Sequence, residues 1–160
     1  MQHLPLVHAG RDAIAAVASL SLARMFSLPE PYWACITTFV VLQSKLGPTF
    51  TVSWQRLAGT ALGATIGALL SIYFGTKLLA FAAGVFLVGL ICASLGLQNS
   101  ARLANITLAI VMLVVHTESP AMIAIHRFLE VAIGIGVALA VTAVWEEAEP
   151  AAAAKPHNAS

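Results

Sequence analysis

Four ionisable residues stand in or beside stretches of this sequence that are otherwise apolar, and any chemistry the chain performs has to start from them. Arg56 and Arg127 each lead into a long apolar run. A guanidinium binds a carboxylate through two parallel hydrogen bonds, so the pair could attract a small organic anion. The plainer account is that both anchor helix ends by snorkelling to a membrane surface. Glu130 follows Arg127 by one helical turn, within reach of an ion pair. Carboxylates at such depth are costly and usually functional, which makes Glu130 the first candidate for a proton-coupling group. Asp12, beside Arg11, is a shallower second candidate.

Uncharged polar residues add to this set. Thr37, Thr38, Thr60, Thr65, Asn105 and Thr107 lie within apolar runs. Hydrogen bonding between helices explains them most cheaply. Lining of a substrate path, with Thr60 and Asn105 as its candidates, is the sharper account. Gly59, Gly63 and Gly67 are spaced by four, so a helix carries them on one face where a neighbouring backbone can approach. Ala132, Gly136 and Ala140, with Gly134 nearby, make a looser small-residue face further on. Helix packing accounts for both; sliding surfaces between two packings are the functional alternative.

Other chemistries find little support. His126 and Glu130 share a helical face, with His116 and Glu118 upstream, but there is no HExxH pair and no cysteine partner, so no metal is expected. Cys35 and Cys92 read as free buried thiols. No nucleophile–base signature or phosphate-binding glycine loop occurs, so neither enzyme activity nor a cofactor is expected. A net charge of +1 without a basic cluster gives no field for nucleic acid.

The elements that must position these residues follow from composition. Only 9% of the residues are charged, against about 25% in a soluble domain, while 59% are hydrophobic and mean hydropathy is +0.89. So few charges cannot solvate a globule of this size, and the partner of most of its surface is the lipid bilayer. Leu57–Thr76 and Leu78–Ala101 are free of charge and each long enough to cross about 30 Å of hydrocarbon as a helix. Shorter apolar runs cover Ala13–Leu28, Pro31–Ser44, Leu103–Val115 and Val131–Trp145. Tyr32, Trp33 and Trp145 fall where an interfacial aromatic belt is expected. The runs do not alternate, which excludes barrel strands.

The expected fold is therefore all-α, a polytopic bundle of six transmembrane helices over residues 1–146, followed by a disordered polar tail over 147–160. The N-terminus does not read as a signal peptide. Five Lys/Arg (Arg11, Lys45, Arg56, Arg102, Lys155) against three (Arg24, Lys77, Arg127) place both termini in the cytoplasm.

A shift of 71 residues lays Arg56-Leu57 on Arg127-Phe128 and Gly63 on Gly134. Two three-helix units would then enter the bilayer from opposite sides, as the inverted repeats of secondary transporters do. The alternative is that any two Arg-led apolar helices align tolerably.

A family resemblance rests on three stretches. Leu28-Pro-Glu-Pro-Tyr-Trp-Ala-Cys-Ile-Thr-Thr-Phe-Val-Val-Leu-Gln43 resembles the start of the fusaric acid resistance (FUSC) or aromatic acid exporter membrane module. Arg56-Leu-Ala-Gly59-Thr60-Ala-Leu-Gly63 is similar to its Arg-x-x-Gly-Thr-x-x-Gly segment, and Arg127 through Gly136 to its final helix. The resemblance covers roughly residues 10–146; the larger members also carry soluble domains and often a second membrane module. It implies a six-helix inner-membrane module of bacterial exporters of aromatic or other organic acids. The resulting expectation is an efflux permease subunit, a homo-oligomer, moving small organic anions by alternating access. A non-transporting scaffold or accessory subunit of a larger assembly is the rival. A polar path through the bundle would favour the first, and a tightly packed apolar centre the second.

Overall fold

A computed structural model describes residues 4–43, 45–114 and 118–153, with side chains over 8–43, 45–114 and 118–145. Among them every regular element is an α-helix: α1 (Leu4–Met25), α2 (Tyr32–Val41), α3 (Leu46–Phe74), α4 (Leu78–Ser94), α5 (Gln98–Leu113) and α6 (Pro120–Ala153). The six-helix expectation holds, but several boundaries move.

The uncharged run Leu78–Ala101 is not one helix. After Ser94 the chain turns at Gly96, whose φ of 68° suits a residue without a Cβ. Leu97 N–H then bonds Cys92 C=O at 2.8 Å and Gly96 N–H bonds Ala93 C=O at 3.3 Å, which is a Schellman stop. Hydropathy does not register such a turn because Leu95 and Leu97 are themselves apolar. The same stop ends α1, with Ser27 at φ 53°, Leu28 N–H on Ala23 C=O at 3.2 Å and Ser27 N–H on Arg24 C=O at 2.9 Å.

The third and sixth helices begin earlier than their arginines. α3 starts at Leu46 and α6 at Pro120, so Arg56 and Arg127 lie well inside their helices rather than opening them. Leu46-Gly47-Pro48 forms the first turn of α3, because Pro48 sits where a helix needs no N–H donor. α2 keeps only 10 residues, a rise of about 15 Å. By length and composition two helices suffice to cross a membrane, Leu46–Phe74 and Pro120–Trp145. The helix of α6 continues past Trp145 to Ala153, where a disordered tail was expected; residues 154–160, like Ser44, Val115 and His116, lie outside the described residues.

α3 and α6 cross antiparallel at the centre. Thr49 Oγ1 meets Thr142 Oγ1 at 3.4 Å near one end, and Ala68 clusters with Ile123 near the other. Both arginines fall between these contacts. α5 and α4 cover α3 through Val88, Cys92, Ala104, Leu108 and Met112. α2 and α1 cover α6, where Val41 joins Val131, Ile135 and Ala138.

The helix contacts are unchanged when the first three helices are exchanged for the last three. α3 on α5 maps to α6 on α2, α3 on α4 to α6 on α1, and α1 on α2 to α4 on α5. Glycines hold the equivalent close approaches. A Cβ on Gly63 would overlap the Ala104 carbonyl oxygen of α5, and one on Gly134 the Ala34 carbonyl oxygen of α2.

Candidate functional site

The α1–α2 turn is pinned into the bundle by charge. Pro29 and Pro31 stop α1 and start α2, and between them Glu30 is presented to the face of α6. The Arg127 guanidinium, only 3% exposed, pairs with the Glu30 carboxylate and lies 4.8 Å over the Trp33 ring. Tyr32 Oη donates to Glu30 Oε1 at 2.6 Å. The pair of aromatics read as an interfacial belt therefore has a different local task. Tyr32 fixes the carboxylate, and Trp33 offers its ring face to the cation.

Glu130 completes the cluster and is 0% exposed. Its Oε1 accepts the backbone N–H of Glu30 at 3.1 Å. Its Oε2 lies 3.4 Å from Arg127 Nη1, close enough for attraction between charges but not aligned as a hydrogen bond. The expected Arg127–Glu130 pair is present, and Arg127 pairs with Glu30 as well. Sequence spacing could not reveal that partner, because 97 residues separate the two.

Arg56 has a different environment. It is 4% exposed, and Nη2 reaches Thr37 Oγ1 of α2 at 3.5 Å, while Nε has no partner. Among the described residues no carboxylate meets it. On the same face of α3, Ser53 Oγ and Thr60 Oγ1 are buried without hydrogen bonds, as are Ser100 Oγ and Asn105 Oδ1 on α5. Ser100 belongs beside this face, since a Cβ on Gly59 would lie 2.8 Å from its carbonyl oxygen. Buried polar atoms without partners are few in native proteins and call for a ligand or water.

The internal symmetry makes the contrast explicit. At the 71-residue offset the counterparts of Glu30 and Glu130 are Ala101 and Gly59. One arginine, Arg127, faces two carboxylates, Glu130 of its own half and Glu30 of the other, and Arg56 faces none among the described residues. Neither arginine is an interfacial anchor, because both are almost wholly buried against other helices.

The remaining candidates divide. Asp12 pairs with its neighbour Arg11 at 3.2 Å and is 45% exposed, while Arg11 Nη1 bonds Gln43 C=O at 3.3 Å. Asp12 lies apart from Glu130, and it is Arg11 that fastens α1 to the end of α2. Gly59, Gly63, Gly67 and Gly134 all pack closely. Gly136 does not: it is exposed, with nothing within 4 Å of an added Cβ. The face of α6 that packs is Val131, Gly134, Ile135, Ala138 and Thr142, which turns the Ala132–Gly136–Ala140 stripe outward. Thr65 and Thr107 bond carbonyls of their own helices, whereas Thr38 bridges Ala34 C=O and Gly134 C=O. His126 pairs with Glu118 at 2.9 Å, and no three metal-binding side chains gather among the described residues. Ser53 and Ser100 were missed because a lone serine in an apolar run carries no spacing signal.

The family described as fusaric acid resistance protein-like matches residues 15–141. The chain belongs to that family. The match runs from α1 through most of α6, so the cluster and the Arg56 face both lie within it. The inner membrane protein YeeA of Escherichia coli K12 is 29% identical over 153 residues, covering 91% of this chain and 42% of YeeA. The uncharacterized transporter YdhK of Salmonella typhimurium is 40% identical over 58 residues, 36% of this chain and 8% of its own. YdhK of E. coli K12 is 38% identical over 64 residues, 40% of this chain and 10% of its own. The chain thus spans less than half the length of these relatives. No solved structure matches it. Composition, the two long apolar helices and the family agree on a membrane protein.

Proposed function

We propose that this chain is an inner-membrane transporter module that moves small organic anions, aromatic acids among them, by alternating access between two inverted three-helix halves. The observation that carries the reading is Arg56, a buried guanidinium without a carboxylate, among buried hydroxyls that have no partner. A cation is expensive inside a membrane, and a bundle that only needed packing would gain by replacing it. A carboxylate bound there would satisfy the guanidinium and several of the hydroxyls at once.

Further support is indirect. YeeA carries the inner membrane in its name and YdhK is called a transporter. Exchange of the two halves leaves the contact pattern intact, which is the geometry inverted repeats require. In that arrangement all six helices form the membrane module, and both termini face the cytoplasm by the positive-inside bias. The same reading has two or more copies of the module assembling the working unit. A scaffold role fits less well, since its centre would be apolar.

The test is a strain lacking the gene, challenged with a panel of aromatic and aliphatic acids, together with the purified chain in liposomes. Sensitivity to particular acids in the strain, and exchange of those acids by the liposomes, is the expected result. Unchanged growth on every acid together with inert liposomes would refute transport.

A further inference from the structure

Two carboxylates face one guanidinium at the α1–α2 turn. Glu30 is held by Arg127 and by the Tyr32 hydroxyl. Glu130 receives one backbone N–H on Oε1, and its Oε2 makes no hydrogen bond. With both carboxylates ionised the cluster carries one negative charge, with Arg127 and Glu130 buried and Glu30 partly exposed. Such a charge is removed by a proton or balanced by another cation.

The other cation is Arg56. Thr37, its hydrogen-bond partner, packs on Gly134, one turn of α6 beyond Glu130. Among the described residues around this site, two cations, Arg56 and Arg127, stand with two carboxylates, Glu30 and Glu130. An anion at Arg56 cancels that guanidinium and leaves one carboxylate too many. The balance returns when a proton enters, and Glu130 Oε2 is the oxygen free to take it.

We propose that a small carboxylate at Arg56 and a proton at Glu130 bind together, so that occupation of the anion site and protonation of the interior are linked. This rests on the anion reading of Arg56 given above. Loaded and empty forms then have the same net charge.

The other charged and titratable groups on packed elements do not replace Glu130. On its own helix Arg127 is the shared cation, and His126 pairs with Glu118 toward the outside. The turn contributes Glu30 and Tyr32, and α2 beyond it has only Cys35. From α1 come His8, the Arg11–Asp12 pair and Arg24, from α3 Arg56 and the exposed Tyr73, and from α5 the exposed Arg102.

The test is calorimetric titration of the purified full chain with benzoate, which stays ionised throughout, between about pH 8 and about pH 6. Each pH is run in two buffers of different protonation heat. Affinity should rise about tenfold toward low pH, as expected for unit charges on the order of 10 Å apart at an effective dielectric near 20. The buffer pair should report protons taken up with benzoate. Glu130→Gln, which resembles the protonated side chain, should hold benzoate at the low-pH affinity across the range. Should that variant fail to fold, proton uptake by the natural chain decides alone. Binding that is independent of pH, strengthens toward high pH or releases protons overturns co-binding and leaves the anion site standing. No benzoate binding at any pH overturns the anion site, and co-binding with it.

Discussion

Gly63→Ala adds one carbon where α3 meets α5, and the bundle has no room for it. The new Cβ would overlap the carbonyl oxygen of Ala104 and crowd that residue's Cα at 3.0 Å. These are backbone atoms, so no rotamer change relieves the overlap and α5 must move as a unit. That movement loosens Ala104, Leu108 and Met112 from Val88 and Cys92. Overpacking a close-packed core costs up to about 3 kcal/mol. Alanine returns about 1 kcal/mol over glycine in a helix interior, leaving a net loss of about 2 kcal/mol. For a chain of this size that lowers the melting temperature by about 4–8 °C. Gly136→Ala meets nothing within 4 Å and should keep the propensity gain. Thermal unfolding of the two variants in one detergent separates them. Equal melting temperatures would refute the close α3–α5 approach.

Three further outcomes follow from the charged cluster and the topology. Glu30→Ala, which removes the carboxylate from Arg127 while Glu130 keeps its bond to the backbone N–H of the turn, should cost about 1–3 kcal/mol in detergent unfolding; no measurable loss would place that pair at a wet surface. Arg127→Lys keeps the charge but loses the planar contact on Trp33 and the fork to two carboxylates, so it should unfold at a temperature between those of the natural chain and Glu30→Ala. A reporter active only in the periplasm, fused after Ser160, should stay silent, and strong activity would reverse the assigned orientation.

What could be read in the sequence followed its periodicities. Charge spacing separated most of the helices, and four-residue spacing identified Gly59, Gly63 and Gly67, because both signals are local. The turn at Gly96 was hidden because apolar residues flank it, and a hydropathy window averages over a single backbone dihedral. Arg56 and Arg127 stood out in the sequence but were placed at helix ends, since uncharged stretches begin after them whether or not the helix does. Glu30 escaped notice for another reason. A carboxylate between two prolines looks like an ordinary solvated turn, and only the packing of α2 on α6 brings it to Arg127. Gly136 shows the converse, where a small-residue stripe exists but faces away from the bundle.

The central claim is that Arg56 exists to bind an anion, and Arg56→Gln tests it most directly. Glutamine keeps a polar group on this face, though it ends short of the nitrogen that reaches Thr37, and it removes a buried charge that no carboxylate meets among the described residues, so the variant should unfold at or above the temperature of the natural chain. Benzoate counterflow into liposomes bearing equal amounts of folded protein is the measurement. The account predicts counterflow by the natural chain and none by Arg56→Gln at undiminished stability. Undiminished counterflow by the glutamine variant would contradict it.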